Sequence, residues 1–242
     1  TAVISVAAGA AEGTYTVSYQ LCEAANTDNC ATATETVIVT DLPIAAVAEP
    51  AFSVFQENGV VRTATVLGAS DLMAGAQAVG GFGGNVRLTQ TGATGGLTLA
   101  TETGEILVPG DTALGSYTLS YQICDLTNLD NCSSATETVN VSRRTLAAAS
   151  EAQRTRLANT SAVALNSALV CGDLLQGSQA TVGSSGNVTI SKTGGDVELL
   201  LNTTTGILSV AGGTPPGTYS LNYDICEAAN TGNCRSSSES VS

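Results

Sequence analysis

The chain has 242 residues, 43% of them hydrophobic, with few aromatics and 26 glycines; this excludes a disordered chain and favours many short strands joined by turns. Its formal net charge of −13, from 8 basic against 21 acidic residues, excludes nucleic acid and anionic membrane surfaces as partners. No apolar run approaches the roughly 18 residues of a membrane helix, so no membrane insertion is expected, and the opening "TAVISVAAGA" lacks the basic region of a signal peptide.

The first predicted element is a strand in "GTYTVSYQLC". Tyr15, Val17, Tyr19 and Leu21 share one parity, and Thr14, Thr16, Ser18 and Gln20 the other, the pattern of a half-buried strand. A second strand follows in "ATATETVIVT", with Val37 and Val39 on one side and Thr34 and Thr36 on the other. The polar run "EAANTDN" between them is rich in turn formers, so the two strands form a hairpin. Tyr15, at the strand start, is placed to act as a tyrosine corner.

This hairpin recurs. Cys22, Cys124 and Cys226 stand 102 residues apart, and so do Cys30, Cys132 and Cys234. Tyr15, Tyr117 and Tyr219 align, as do Tyr19, Tyr121 and Tyr223; Asp71 aligns with Asp173, and "GNV" at 84 with "GNV" at 186. The phase divides the chain into the C-terminal half of one module (1–40) and two further modules (41–142 and 143–242). The half is completed either by a longer chain in cis or by a neighbour in trans.

Within the second module, "VVRTATVL", "NVRLTQT", "GLTLA" and "EILVP" read as strands, punctuated by turn signals such as "GGFGGN" and "TGATGG". The resulting fold class is all-β, a tandem array of antiparallel, immunoglobulin-like β-sandwiches with a 102-residue period. The third module opens with an Ala- and Leu-rich stretch at 145–170. Its counterpart contains Pro50 and β-branched residues, so both are expected to be extended, with a helical turn at Ser150 to Leu157.

Six cysteines form the candidate sites: Cys22 with Cys30, Cys124 with Cys132, and Cys226 with Cys234. Their parity is that of the solvent-facing threonines, and they sit where each strand meets the loop, so a structural disulfide is expected to close each hairpin mouth. Structural zinc needs four ligands, whereas C-x7-C with no His offers two. A redox pair usually takes C-x-x-C spacing. Three such staples imply an oxidising compartment. Cys171 aligns with Ala69 and reads as a free thiol or an intermolecular bridge.

No other chemistry is evident. Without His there is no His-based triad, and neither a P-loop nor G-x-S-x-G occurs. Glu105, Asp111, Asp196 and Glu198 read as solvated surface. Asp71 and Asp173 suit a turn or a calcium site at a module junction. No enzyme activity, cofactor or catalytic residue is expected.

The phrase "GTYTVSYQLCEAANTDNC-ATATETVIV" and its two echoes resemble tandem immunoglobulin-like repeats of large bacterial surface proteins and adhesins. The resemblance covers the hairpins closely and the rest loosely. It implies β-sandwich beads on an extracellular or cell-surface stalk or fibre, bacterial in source, whose main partner is itself: neighbouring modules or subunits. The alternative is a surface binding module that recognises glycan or protein through the loops at 23–29, 125–131 and 227–233.

Overall fold

A computed structural model describes residues 2–157, 161–170 and 172–242. Every element among them is a strand. The first hairpin joins β1 (Gly13–Glu23) to β2 (Asn26–Val39) in register, with Tyr15 opposite Val37 and Cys22 opposite Cys30. It forms a sheet of its own.

Residues 44–142 build a sandwich. One sheet runs β4 (Phe52–Phe55), β12 (Cys132–Ser142), β11 (Gly115–Asp125), β8 (Val86–Ala93); the other runs β5 (Val61–Thr65), β10 (Glu105–Val108), β9 (Thr98–Ala100). All pairs are antiparallel except β4 with β12. A minor sheet joins β3 (Ile44–Ala45), β6 (Leu72–Met73) and β7 (Ala76–Gln77). The four strands expected from "VVRTATVL", "NVRLTQT", "GLTLA" and "EILVP" are β5, β8, β9 and β10. Alternate residues of both large sheets, among them Leu88, Ile106, Leu119, Tyr121, Ile123 and Val139, fill one buried cluster. The period-two pattern thus becomes a core with one wet face outside it.

Residues 146–241 repeat this plan around a second cluster, with sheets β17 (Val188–Gly195), β20 (Tyr219–Glu227), β21 (Cys234–Val241) and β14 (Val163–Ser167), β19 (Ile207–Val210), β18 (Leu199–Leu201). Small strands β13 (Leu146–Ala147), β15 (Leu174–Leu175) and β16 (Ser178–Gln179) match β3, β6 and β7.

The helical turn expected at Ser150 to Leu157 does not form. Arg154 runs parallel to the last strand instead: its N–H donates to Ser240 O at 3.0 Å, and its carbonyl accepts from Ser242 at 2.8 Å. Sheet pairing outweighs the modest intrinsic helix preference of Ala and Leu.

The tyrosine corner recurs in all three copies. Tyr15, Tyr117 and Tyr219 donate to the carbonyls of Ala11, Ala113 and Pro215 at 2.8, 2.8 and 2.9 Å. The recurring "GNV" also has a reason. Asn85 accepts from Val79 N–H at 2.7 Å and donates to Gln77 O at 3.0 Å, and Asn187 makes the equivalent bonds to Thr181 and Gln179. A Cβ on Gly84 would collide with Val79 O, and one on Gly186 with Thr181 O. Each turn therefore needs glycine before its asparagine.

Candidate functional site

The structure places the six cysteines as three cross-strand pairs at the hairpin mouths, at bonding distance, with Cα atoms 4.0, 4.1 and 4.0 Å apart. Nearby at positions of the same parity, Ser18 meets Thr34 at 3.1 Å and Ser120 meets Thr136 at 2.8 Å. Cys124 departs from the expected wet position and is buried, with Arg87 of β8 as its partner, whereas Cys226, with Thr189 of β17 in that place, is half-buried. Cys171 lies outside the described residues.

Asp71 and Asp173 are fully buried turn holders. Asp71 accepts from the N–H of Gly68 at 2.7 Å and of Val47 at 2.8 Å; Asp173 accepts from Val170 and Ala149, both at 2.8 Å. Among the described residues, no group of three or more His, Cys, Asp or Glu side chains is arranged to hold a metal ion. Of the carboxylates read as surface, Glu105 pairs with Arg62 at 2.9 Å and Asp196 accepts from Ser220 N–H at 2.7 Å.

A second pair of buried carboxyls was not anticipated. Glu137 and Glu239 share the inward parity of the valines in their strands and lie in the core. Burial pushes Glu137 up to about 7, with the nearby charges of Glu49 and Asp71 adding to the rise, although the Glu49 N–H donates to it. Burial likewise raises Glu239 to about 7, partly opposed by Arg154, whose Nε stands 3.6 Å away. Beside them, Tyr121 donates to Asp71 at 3.0 Å and Val66 O at 3.3 Å, and burial raises its hydroxyl pKa; Tyr223 donates to Ala168 O at 3.2 Å, and burial pushes it up to about 12. The readable signal was a carboxylate at Glu35, Glu137 and Glu239, three times in the apolar parity.

The loop ends are where the copies meet. In the third copy the loop at 227–233 folds against the second copy. Asn230 donates to the carbonyl and the side-chain oxygen of Gln56, both at 3.2 Å, and Asn58 N–H donates to Ala229 O at 2.8 Å. Asn233 donates to Arg144 O and to Glu227, both at 2.9 Å. Arg144 in turn reaches Glu57 at 2.6 Å and the buried Glu227, and its guanidinium lies 4.8 Å from the Phe55 ring centre. Asn230, Asn233 and Glu227 are each 3% exposed or less, whereas Ala228, Ala229, Thr231 and Gly232 of the same loop stay exposed.

The corresponding loop of the second copy, 125–131, makes half of this set. Asn131 donates to Leu42 O at 2.8 Å and Asn128 to Asp41 at 2.9 Å, while Leu126 and Leu129 stay exposed. In the first copy the loop is shorter than expected: Asn26 to Asn29 join β2, and only Ala24 and Ala25 separate the strands.

The first hairpin exposes what the others bury. Leu119, Tyr121 and Ile123, and likewise Leu221, Tyr223 and Ile225, are wholly inaccessible; their counterparts Val17, Tyr19 and Leu21 are 38, 46 and 73% exposed.

No protein-family model matches the chain, and no curated protein matches it. Solved structures similar to it include mouse cadherin-23 EC22-24 (13% identity over 94% of this chain and 73% of that one, TM-score 0.34) and human CDH23 EC21-23 (14%, 95% and 74%, TM-score 0.33). Drosophila N-cadherin EC1-3 is similar at 13% identity over 89% of this chain and 73% of that one, with a TM-score of 0.33. None reaches a TM-score of 0.5, so none speaks to ligand, partner or activity in this chain.

Proposed function

We propose that the protein is a structural, non-catalytic stretch of an exported fibre or adhesin stalk, with modules at 41–142 and 143–242 and the C-terminal half of another at 1–40. Its working partner is the next module of its own kind. The observation that carries this reading is the junction. In the third copy, Asn230 of the 227–233 loop is buried and donates to Gln56 of the neighbouring module, whose Asn58 N–H donates to Ala229 O. A side-chain clasp of this type limits bending between modules, which is what a part that sets length and stiffness requires.

The three cysteine pairs support the same reading. Formed as disulfides, they require an oxidising compartment, hence a cell surface or exterior. The resemblance of the hairpins to bacterial surface repeats supports a bacterial source. Thiol titration of natively exported, denatured protein is expected to find Cys22, Cys30, Cys124, Cys132, Cys226 and Cys234 unreactive; seven free sulfurs would remove the compartment assignment.

Small-angle scattering of the 242-residue chain tests the stalk directly. The expected result is a narrow distribution of distance between the second and third copies that broadens in Asn230→Ala/Arg144→Ala. A distribution already as broad in the parent removes the support. Electron micrographs of the intact protein are expected to contain rods or fibres, and compact single particles would contradict the proposal.

A second reading, a glycan- or protein-binding module, draws on the exposed Leu126 and Leu129 of the 125–131 loop. Glycan-array binding that is lost on Leu129→Ser would favour it.

A further inference from the structure

The second and third copies share one plan, so exposed side chains that differ between them are not demanded by the fold. One group of differences lies along β8, the edge strand of its sheet. Phe82, Arg87, Glu102 and Leu126 line a depression there, and all four are exposed. The third copy keeps a depression beside β17, lined by Thr189 and Thr204. The four positions hold Ser184, Thr189, Thr204 and Ala228 in that copy, and Ala24 stands at the place of Leu126 in the first hairpin. Phe82 is held out by its turn: Gly81 has a φ of +72°, and a Cβ on it would strike Glu102 O.

The edge beside these side chains is open. Cys124 and Cys132 are a narrow pair with Cα atoms 4.1 Å apart, so the N–H and C=O of Cys124 turn away from β12 and toward Arg87 on β8. By alternation, the main-chain groups of Val86 and Leu88 turn outward. Val86 N–H meets Val79 O at 3.2 Å, whereas beyond Leu88 no further strand follows among the described residues. Charges of both signs flank this edge. Arg87 lies opposite Cys124, and Glu102 lies in the turn from β9 to β10 in the opposing sheet; neither has an ion-pair partner among the described residues.

We propose that the β8 edge of the second copy docks an extended peptide of another protein, which adds as a strand at Leu88. The peptide sets an apolar side chain against Phe82 and Leu126, a carboxylate at Arg87 and a basic group at Glu102. Successive strand residues point to opposite faces, so its acidic and basic residues belong to opposite parities. Main-chain bonds supply affinity in this mode, and the flanking side chains supply selectivity. An edge with outward N–H and C=O groups favours a peptide over a glycan. A second copy of this chain is the weaker occupant, because two chains of net charge −13 repel. The inference goes beyond the stalk reading and stands without it. Leu129, on which the test of the second reading turns, does not line the depression.

The test probes an array of random linear octapeptides with the 242-residue chain and with Phe82→Ser/Arg87→Thr/Leu126→Ala, which installs side chains that the third copy already carries. Peptides retained by the parent should share the apolar, acidic and basic residues in that alternation, and bind the triple variant at least about 10-fold more weakly. Arg87→Glu should select a basic residue in place of the acidic one. In hydrogen exchange, a retained peptide should slow the Leu88 amide and leave that of its counterpart Ile190 unchanged. The proposal is overturned if no peptide is retained, if parent and triple variant retain the same peptides equally, or if Leu88 and Ile190 respond alike. A parent that sediments as an oligomer dispersed by the triple variant assigns the edge to a second copy, and a glycan-array signal lost in that variant assigns it to sugar; either result also overturns it.

Discussion

The first hairpin and its two echoes are a controlled comparison within one molecule. Strand register, cysteine pair and tyrosine corner are the same in all three, with Tyr15 opposite Val37, Tyr117 opposite Val139 and Tyr219 opposite Val241. The loop differs, in that Asn26 to Asn29 join β2 in the first copy, and so does the cover. With it, Leu119, Tyr121 and Ile123 each contribute about 2 kcal/mol of burial; without it, Val17, Tyr19 and Leu21 contribute a fraction of that. Local pattern is thus enough to specify the shape of the hairpin, while its stability comes from the opposite sheet. A two-stranded ribbon on its own is marginal in water.

Truncating the central tyrosine should separate the copies most sharply. Tyr121→Ala and Tyr223→Ala each remove a fully buried ring and its hydrogen bonds, and should destabilise their own copies by about 3–5 kcal/mol in urea unfolding. Tyr19→Ala should change stability by less than about 0.5 kcal/mol. Equal effects at all three positions would break the comparison.

The pH response comes next. Glu137 and Glu239 rise from 4.5 to about 7 on folding, so the folded state holds their protons more tightly than the unfolded chain. Their stabilising contribution is full below 4.5 and lost as pH rises through about 7, a change on the order of 3 kcal/mol for each copy. Thermal melts should therefore move upward between pH 8 and pH 5. Glu137→Gln should flatten this response in the second copy and leave that of the third.

Removing a cysteine pair has a smaller expected effect. Cys226→Ser with Cys234→Ser should cost the third copy roughly 2.5 kcal/mol by the chain-entropy argument for a loop this short. Smaller again is the clasp: Arg144→Ala should cost about 1–2 kcal/mol, read as earlier loss of protection at Asn58. Added salt should weaken the exposed arm to Glu57 more than the buried one to Glu227.

Much of this is legible in the sequence alone. The alternation of Tyr, Val and Leu marks both strands of each hairpin, the cysteines mark its mouth, and Tyr15 marks its corner. What escaped was whatever depends on distant contacts. Glu137 sits in a parity that should hold a valine, and only the meeting of Glu49, Asp71 and Tyr121 around it explains why a carboxyl is there. The docking of "EAANTGN" escaped as well, because Gln56, which receives Asn230, lies in a neighbouring copy. Residues 150–157 misled because Ala and Leu favour a helix, and the partner that keeps them extended, β21, comes more than eighty residues later.

Native-state hydrogen exchange on the unmodified 242-residue chain probes the central contrast most directly. Amides of Tyr121 and Tyr223 should exchange only through global opening of their copies, and that of Tyr19 several orders of magnitude faster. Equal slow exchange at all three tyrosines would contradict the account, because it would mean that the first hairpin is as well supported as the sandwiches that follow it.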